Sequence, residues 1–100
     1  MPSPDTTARP SSRDPAGLHL DVISPSGTLI SCAVDSVIIP AWDGLMGILP
    51  GHAPLLAMLR PGTASARIGD KTCAYRVTGG FADVGPTHVR LIADSAEPSP

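Results

Sequence analysis

The sequence is poor in aromatic residues and has no excess of positive charge. Only Trp42, Tyr75 and Phe81 are aromatic among its 100 residues, although 42% of the chain is hydrophobic. A core must therefore be built from Val, Ile, Leu and Ala, and it should be of modest stability. The formal net charge of −2 gives no basic surface for nucleic acid or an anionic membrane. We therefore expect neither as a partner.

The sequence also has no apolar run long enough to span a membrane. Its longest, residues 45–59, is interrupted by Pro50, His52 and Pro54 and falls short of the roughly 20 residues that a spanning helix needs. Residues 1–17 lack the apolar middle of a signal peptide. We expect a cytosolic protein without direct membrane insertion, which could still dock on a membrane complex.

Motifs that carry chemistry are missing as well. Cys32 and Cys73 show no C-x-x-C spacing, and we expect either two reduced thiols or one disulfide. His19, His52 and His88 have none of the spacings typical of metal ligands, so a metal-dependent enzyme would have to assemble them from three distant points. A nucleophile elbow, a phosphate-binding loop and paired carboxylates are also lacking. The sequence predicts a non-catalytic protein with no cofactor and no metal ion.

What the sequence has in quantity is glycine and proline, which divide residues 44–62 into short apolar runs. Pro50-Gly51 predicts a tight turn, and the five apolar residues at 55–59 predict a buried strand. Side chains alternate along a strand, so this one has two apolar faces: Leu55, Ala57 and Leu59 on one, Leu56 and Met58 on the other. A small two-layer protein buries only one such face. We expect the other to lie against a partner.

The rest of the chain shows short strands separated by turns. Alternating or β-branched runs predict strands at residues 18–23, 28–32, 34–39, 81–84 and 88–94, with a loop at 40–44. Apolar residues nowhere recur with helical spacing. We expect an all-β sandwich or flattened barrel over residues 18–94, with a disordered arm at 1–17 and a disordered tail at 95–100.

A β-hairpin is predicted at residues 68–71, because a two-residue Gly-Asp connection suits a primed turn. The register that follows pairs Ile68 with Lys71, Ala66 with Cys73, Ala64 with Tyr75, Ser65 with Ala74 and Arg67 with Thr72. Gly79-Gly80 predicts a bend before the next strand.

Five segments of the sequence, in order and at the right spacing, resemble the epsilon subunit of rotary F-type ATP synthases. They are HLDVIS at residues 19–24, GILPGHAPLL at 47–56, Pro61-Gly62, TGGF at 78–81 and ADSAE at 93–97. The second is the most specific of the five. The resemblance covers nearly all of the chain from residue 18 onward.

The resemblance implies a flattened ten-stranded β-sandwich in the central stalk, or rotor, of a proton-translocating ATP synthase. Such a subunit binds the gamma subunit, rests on the membrane-embedded c-ring, and couples ring rotation to the gamma shaft during ATP synthesis without catalysing a reaction. It would lie peripherally on the cytoplasmic face of a bacterial inner membrane. The alternative is a stand-alone β-sandwich protein-binding module that uses the same exposed face.

The resemblance also assigns site residues. Carried over by motif, the gamma-facing positions are Ser24, His52 and Ala57, and strand alternation adds Leu56 and Met58. The c-ring contact loop maps to Pro40, Ala41, Trp42, Asp43, Gly44, Leu45, Met46 and Gly47. Two of these residues keep two interpretations each. His52 either bonds a backbone carbonyl of its corner or faces a partner, and Trp42 either fills the core or anchors an exposed loop.

The sequence departs from the family in two places. Members often have Gly-Glu-Leu-Gly where this chain has GLMG at residues 44–47, which leaves Asp43 as the only carboxylate expected to meet basic groups on the ring. Many members also continue into a C-terminal two-helix domain that binds ATP or brakes rotation, whereas this chain stops at Pro100. We therefore expect neither the brake nor a nucleotide site.

Overall fold

The computed structural model describes residues 17–99, and within that range every regular element is a β-strand. The ten strands are β1 (Leu18–Ser24), β2 (Gly27–Val34), β3 (Ser36–Ala41), β4 (Gly44–Ile48), β5 (Leu55–Leu59), β6 (Gly62–Ile68), β7 (Lys71–Val77), β8 (Gly80–Val84), β9 (His88–Ala93) and β10 (Ala96–Ser99). Among these residues no helix is long and apolar enough to cross a membrane. The predicted all-β fold is confirmed. The predicted N-terminal arm, apart from Gly17, lies outside the described residues.

The strands form one sheet that folds over into two layers. Their order is β10-β7-β6-β3-β5-β8-β9-β1-β2, and β4 pairs with β3 alone. Every pair is antiparallel except β1 with β9. The two halves join where β3 meets β5 at one paired position, Ala41 with Leu59. Beside it the Arg60 N–H donates to the Pro40 carbonyl at 2.9 Å, which holds the joint closed.

The core lies between the layers and is aliphatic, as the composition predicts. Its largest fully buried side chains are Leu18, Leu20, Ile39, Ile48, Leu59 and Leu91. Tyr75 is the one aromatic residue among the buried hydrophobic side chains of the described range. Alternation along each strand explains which side chains are buried, as in β1, where Leu18, Leu20 and Val22 all point inward. The opposite faces of the strands are thereby left for solvent or for partners.

The predicted hairpin is confirmed residue by residue. Strands β6 and β7 pair from Gly62 opposite Val77 to Ile68 opposite Lys71, including every pair that the two-residue turn predicts. Gly69 in the turn lies at φ 64°, a conformation that glycine adopts without steric cost. Its N–H donates to Asp35 Oδ2 at 2.6 Å, so the tip is also tied to the segment between β2 and β3.

The predicted disordered tail at residues 95–100 is wrong. Ala96–Ser99 forms β10, which pairs with β7 from Ala96 opposite Val77 to Ser99 opposite Ala74. Pro98 has no N–H to donate, but β10 is an edge strand, where one side of the backbone needs no partner. The sandwich therefore extends through Ser99.

The predicted loop over residues 40–44 is also wrong in its extent. Pro40 and Ala41 end β3, and Gly44–Ile48 forms β4, so only Trp42 and Asp43 make the turn. Ala41 lies opposite Gly44, which closes a two-residue hairpin. The glycines at 44 and 47 favour a loop in the sequence. Both glycines are tolerated in β4 because this strand pairs with β3 alone, so one of its backbone edges has no neighbouring strand.

Candidate protein-binding face

Strand β5 has the two apolar faces that the sequence predicts. Leu59 points into the core and is 1% exposed, whereas Leu56 and Met58 on the other face are 69% and 62% exposed. Leu55 and Ala57 share the inner side and pack against the core. The prediction that one face of this strand stays uncovered by the chain itself is confirmed.

Met58 is one member of a line of apolar side chains that crosses four strands. Met58 lies opposite Phe81 of β8, Phe81 opposite Ile92 of β9, and Ile92 beside Ile23 of β1. Phe81 and Ile92 are 42% and 37% exposed. We call Met58, Phe81, Ile92 and Ile23 the apolar row. A contiguous exposed apolar surface of this kind is typical of a site where another protein docks.

A second line, which begins at Leu56 of β5 one residue pair further along, is charged on β8, β9 and β1. Arg90 of β9 lies between two carboxylates, with Nη1 3.7 Å from Asp83 Oδ2 and Nε 3.9 Å from Asp21 Oδ2. His88 Nε2 lies 3.4 Å from Asp83 Oδ1, and His19 Nε2 lies 3.4 Å from Asp21 Oδ1. We call these five residues the ion ladder. Arg90 and its two carboxylates are partly exposed and compensate one another, although His88 Nε2 is buried without a hydrogen-bond partner. These charges have less to gain from a partner than the apolar row.

Trp42 extends the exposed surface at one end of the apolar row. It sits in the β3–β4 turn, and its backbone N–H donates to the Met58 carbonyl at 3.1 Å. The indole is 58% exposed, with Arg60 Cζ 5.6 Å from its ring centroid. Trp42 therefore does not fill the core, and its role as an anchor for a partner stays a prediction.

His52 occupies the corner that leads into β5. Its Nδ1 lies 2.7 Å from the Ala53 carbonyl, which can only accept, so Nδ1–H is the donor. The backbone N–H of His52 donates to Leu49 at 3.2 Å, and that of Gly51 donates to Pro86 at 2.7 Å. One of the two interpretations, a bond to a backbone carbonyl, is therefore present, and the corner is also tied to the loop between β8 and β9.

Comparison with known proteins assigns the fold to a family. The family described as "ATP synthase, Delta/Epsilon chain, beta-sandwich domain" matches residues 17–99. The chain belongs to this family. It is 42% identical over 84 residues to the ATP synthase epsilon chain of Granulibacter bethesdensis, covering 83% of this chain and 62% of that one. It is 46% identical over 82 residues to the ATP synthase epsilon chain 1 of Thiobacillus denitrificans, covering 79% and 57% respectively.

A solved structure agrees with the sequence relatives. A chain in the cryo-EM structure of the Euglena gracilis mitochondrial ATP synthase, which contains OSCP, F1 and the c-ring in rotational state 1, superposes with a TM-score of 0.78 at 29% identity. The match covers 84% of this chain and 54% of that one. This delta/epsilon β-sandwich thus spans about 60% of the length of the curated relatives named here.

The delta/epsilon β-sandwich does not gather all the predicted gamma-facing residues on one face. Leu56 and Met58 are exposed together, but Ala57 points to the inner side of β5. Ser24 follows Ile23 at the far end of the apolar row, where its Oγ lies 3.0 Å from Ser26 Oγ. Alternation along β5 therefore puts Leu56 and Met58, which were assigned from strand alternation, on the opposite side from Ala57, which was assigned from the family motif.

The predicted c-ring segment divides in the same way. Pro40 and Ala41 are buried, and Met46 packs against the core from the half-buried side of β4. Gly44 is half-buried. The exposed members are Trp42, Asp43, Leu45 and Gly47. A partner that approaches this hairpin from outside would meet mainly the turn and the outer side of β4.

Within residues 17–99 no group of three His, Cys, Asp or Glu residues could hold a metal ion. Cys32 and Cys73 are half-buried free thiols that pack against the core. Burial raises the pKa of the Cys32 thiol above its ordinary value, and the neighbouring Cys73 and Asp21 add to the rise. Both alternatives for the pair, two reduced thiols or one disulfide, stay predictions.

Proposed function

We propose that the chain is a non-catalytic central-stalk subunit of a rotary ATP synthase, which couples rotation of the c-ring to the gamma subunit. The observation that carries the proposal is the family match over residues 17–99 together with an apolar row that the chain itself leaves uncovered. The subunit would work peripherally, on the cytoplasmic face of a bacterial inner membrane. The bacterial epsilon chains among its relatives support that location.

Gamma would dock on the apolar row and on Leu56 beside it. Burying an exposed methionine or phenylalanine removes apolar surface from water, which stabilises a complex by roughly 25 cal/mol per Å². The ion ladder next to the row, crossed by Arg90 and its two carboxylates, has the polar, solvated character of an interface rim. One face thus offers both an apolar centre and a polar border.

The c-ring would meet the end of the sandwich that carries the β3–β4 turn. Trp42 is the exposed aromatic side chain there, and Leu45 on the outer side of β4 is 76% exposed. The turn is held to β5 through the Trp42 N–H bond to Met58, so force applied at the turn reaches the strand that gamma would contact. A hydrogen-bonded sheet resists shear, which suits transmission of torque between two partners.

The test is the affinity of the chain for purified gamma subunit, with Met58→Asp as the decisive variant. A carboxylate placed in the centre of an apolar contact should weaken binding at least about thirtyfold, the loss expected at an interface hot spot. Because Met58 is mostly exposed, the free energy of unfolding of the isolated chain should change by no more than about 0.5 kcal/mol.

Ile68→Asp is the matched control. Ile68 is also an exposed large hydrophobic residue, but it lies at the tip of the β6–β7 hairpin, away from the apolar row. The Ile68→Asp variant should bind gamma with the same affinity as the unchanged chain. Equal losses in the two variants, or none in either, would show that gamma does not dock on the apolar row, and no gamma binding by the unchanged chain would favour the stand-alone binding module.

A further inference from the structure

The chain concentrates its few aromatic side chains in one open cleft. Two of the three aromatic residues of the sequence, Trp42 and Phe81, line it together with Met58 and Asp94. The cleft has a volume of about 490 Å³ and lies between the β3–β4 turn and the bend that precedes β8. Two aromatic rings placed outside a core that is short of aromatics need an explanation other than core packing.

One charged group lies in this cleft, the solvent-exposed carboxylate of Asp94. None of the side-chain hydrogen bonds and ion pairs found within residues 17–99 engages the carboxylate of Asp94. Its backbone is fixed, because the Asp94 N–H donates to the Gly79 carbonyl at 3.0 Å. Gly79 also keeps the site open, since a Cβ at that position would lie 3.0 Å from Asp94 Oδ2.

A carboxylate beside aromatic faces suits a cation, and among side chains it suits arginine best. A guanidinium is planar, stacks on an aromatic ring and pairs with a carboxylate through two parallel N–H groups. Within this chain the guanidinium of Arg60 already lies over the indole of Trp42, at 5.6 Å from Cζ to the ring centroid. Arg60 makes no ion pair with Asp94, so the carboxylate stays available.

We propose that the cleft formed by Trp42, Met58, Phe81 and Asp94 receives an arginine side chain of a partner protein, with the Asp94 carboxylate as its counter-ion. The proposal rests on the proposed function only for the identity of that partner, which is gamma, because gamma would already cover Met58 and Phe81. Asp43, the carboxylate that the sequence singles out for the c-ring, does not line this cleft, whereas Asp94 does.

The cleft can be tested without any partner protein, because Trp42 is the only tryptophan of the chain and reports directly on it. The probe is the blocked tripeptide N-acetyl-Gly-Arg-Gly-amide, titrated at constant ionic strength while Trp42 fluorescence and the amide NMR shifts of Gly79 and Gly80 are followed. A single stacked ion pair predicts saturable binding with a Kd on the order of millimolar. The same peptide with citrulline, which keeps the shape and loses the charge, should not saturate.

Asp94→Asn should weaken arginine-peptide binding about tenfold, because it removes the counter-ion and keeps the side-chain size. Asp43→Asn is the matched control, since it removes the same charge beside Trp42 but outside the cleft, and it should leave the Kd unchanged. An equal response to the citrulline peptide would overturn the proposal. So would an unchanged Kd in Asp94→Asn, or a loss in Asp43→Asn as large as in Asp94→Asn.

The two proposals fail separately. Saturable arginine binding by a chain that shows no affinity for gamma would support the cleft and contradict the rotor role. Loss of gamma affinity in Met58→Asp, together with no binding of the arginine peptide to the unchanged chain, would support the rotor role and contradict the proposal that the cleft binds arginine.

Discussion

Two lines of side chains on the same face of β5, β8, β9 and β1 share a backbone and differ in chemistry. The apolar row runs through Met58, Phe81 and Ile92, and the ion ladder crosses the same sheet through Asp83 and Arg90. In the ladder, Arg90 has two carboxylates of the chain itself within ion-pair distance, at 3.7 and 3.9 Å, whereas nothing in the described residues covers the apolar row. Exposure alone therefore does not mark a binding surface. What marks it is exposed surface that the chain leaves without a compensating interaction.

The largest expected effect comes from breaking the backbone that both lines share. Gly80 begins β8 at φ 111°, and a Cβ there would overlap the Ile92 carbonyl oxygen. Gly80→Ala should lower the free energy of unfolding by about 2–4 kcal/mol, through steric overlap and backbone strain together. Urea unfolding followed by circular dichroism measures the change.

Gly47→Ala is the control for that substitution. No atom lies within 4 Å of a Cβ added at Gly47, and the φ of Gly47 is ordinary. The free energy of unfolding of Gly47→Ala should therefore stay within about 0.5 kcal/mol of that of the unchanged chain. Comparable losses at both glycines would mean that the contact between β8 and β9 has no special role.

An intermediate effect should separate the two lines by binding. Phe81→Ala removes a large part of the apolar row and should weaken gamma binding about tenfold, as truncation of a buried interface aromatic does. Arg90→Ala removes the centre of the ion ladder and should change the affinity by less than about threefold, because rim charges contribute little. Isothermal titration calorimetry of the two variants compares them directly. A larger loss for Arg90→Ala would reverse the roles assigned to the two lines.

The smallest effect should separate the two lines by salt. In the isolated chain, Arg90→Ala should cost about 0.5 kcal/mol at low ionic strength, since partly exposed ion pairs are weak, and nearly nothing in about 1 M salt. Phe81→Ala should cost a similar or slightly larger amount that does not fall with salt, because its contribution is apolar. A salt-independent loss in Arg90→Ala would show that the arginine stabilises the sheet through packing instead of charge.

Local chemistry is what made parts of this fold predictable. The β6–β7 hairpin follows from two residues, Gly69 and Asp70, whose turn fixes the register of every pair beyond them. The exposed face of β5 follows from five consecutive apolar residues and strand alternation. Neither prediction needs knowledge of where distant strands lie.

The parts that could not be predicted depend on long-range pairing. The ion ladder requires β1 to lie parallel to β9, which sets Asp21 beside Arg90 although 69 residues separate them in the sequence. Strand β10 contains Pro98 and is a strand only because β7 offers it an edge. Asp94 joins Trp42 in one cleft through two separate turns at the same end of the sheet. Turn and propensity rules carry no information about such contacts.

The most direct measurement is hydroxyl-radical footprinting of the chain alone and in complex with gamma, because methionine and aromatic side chains report their own solvent exposure. Oxidation of Met58 and Phe81 should fall several-fold in the complex, while buried Tyr75 should stay unreactive in both states. Equal oxidation of Met58 and Phe81 with and without bound gamma would contradict the account, because the apolar row would then remain open to solvent in the assembly.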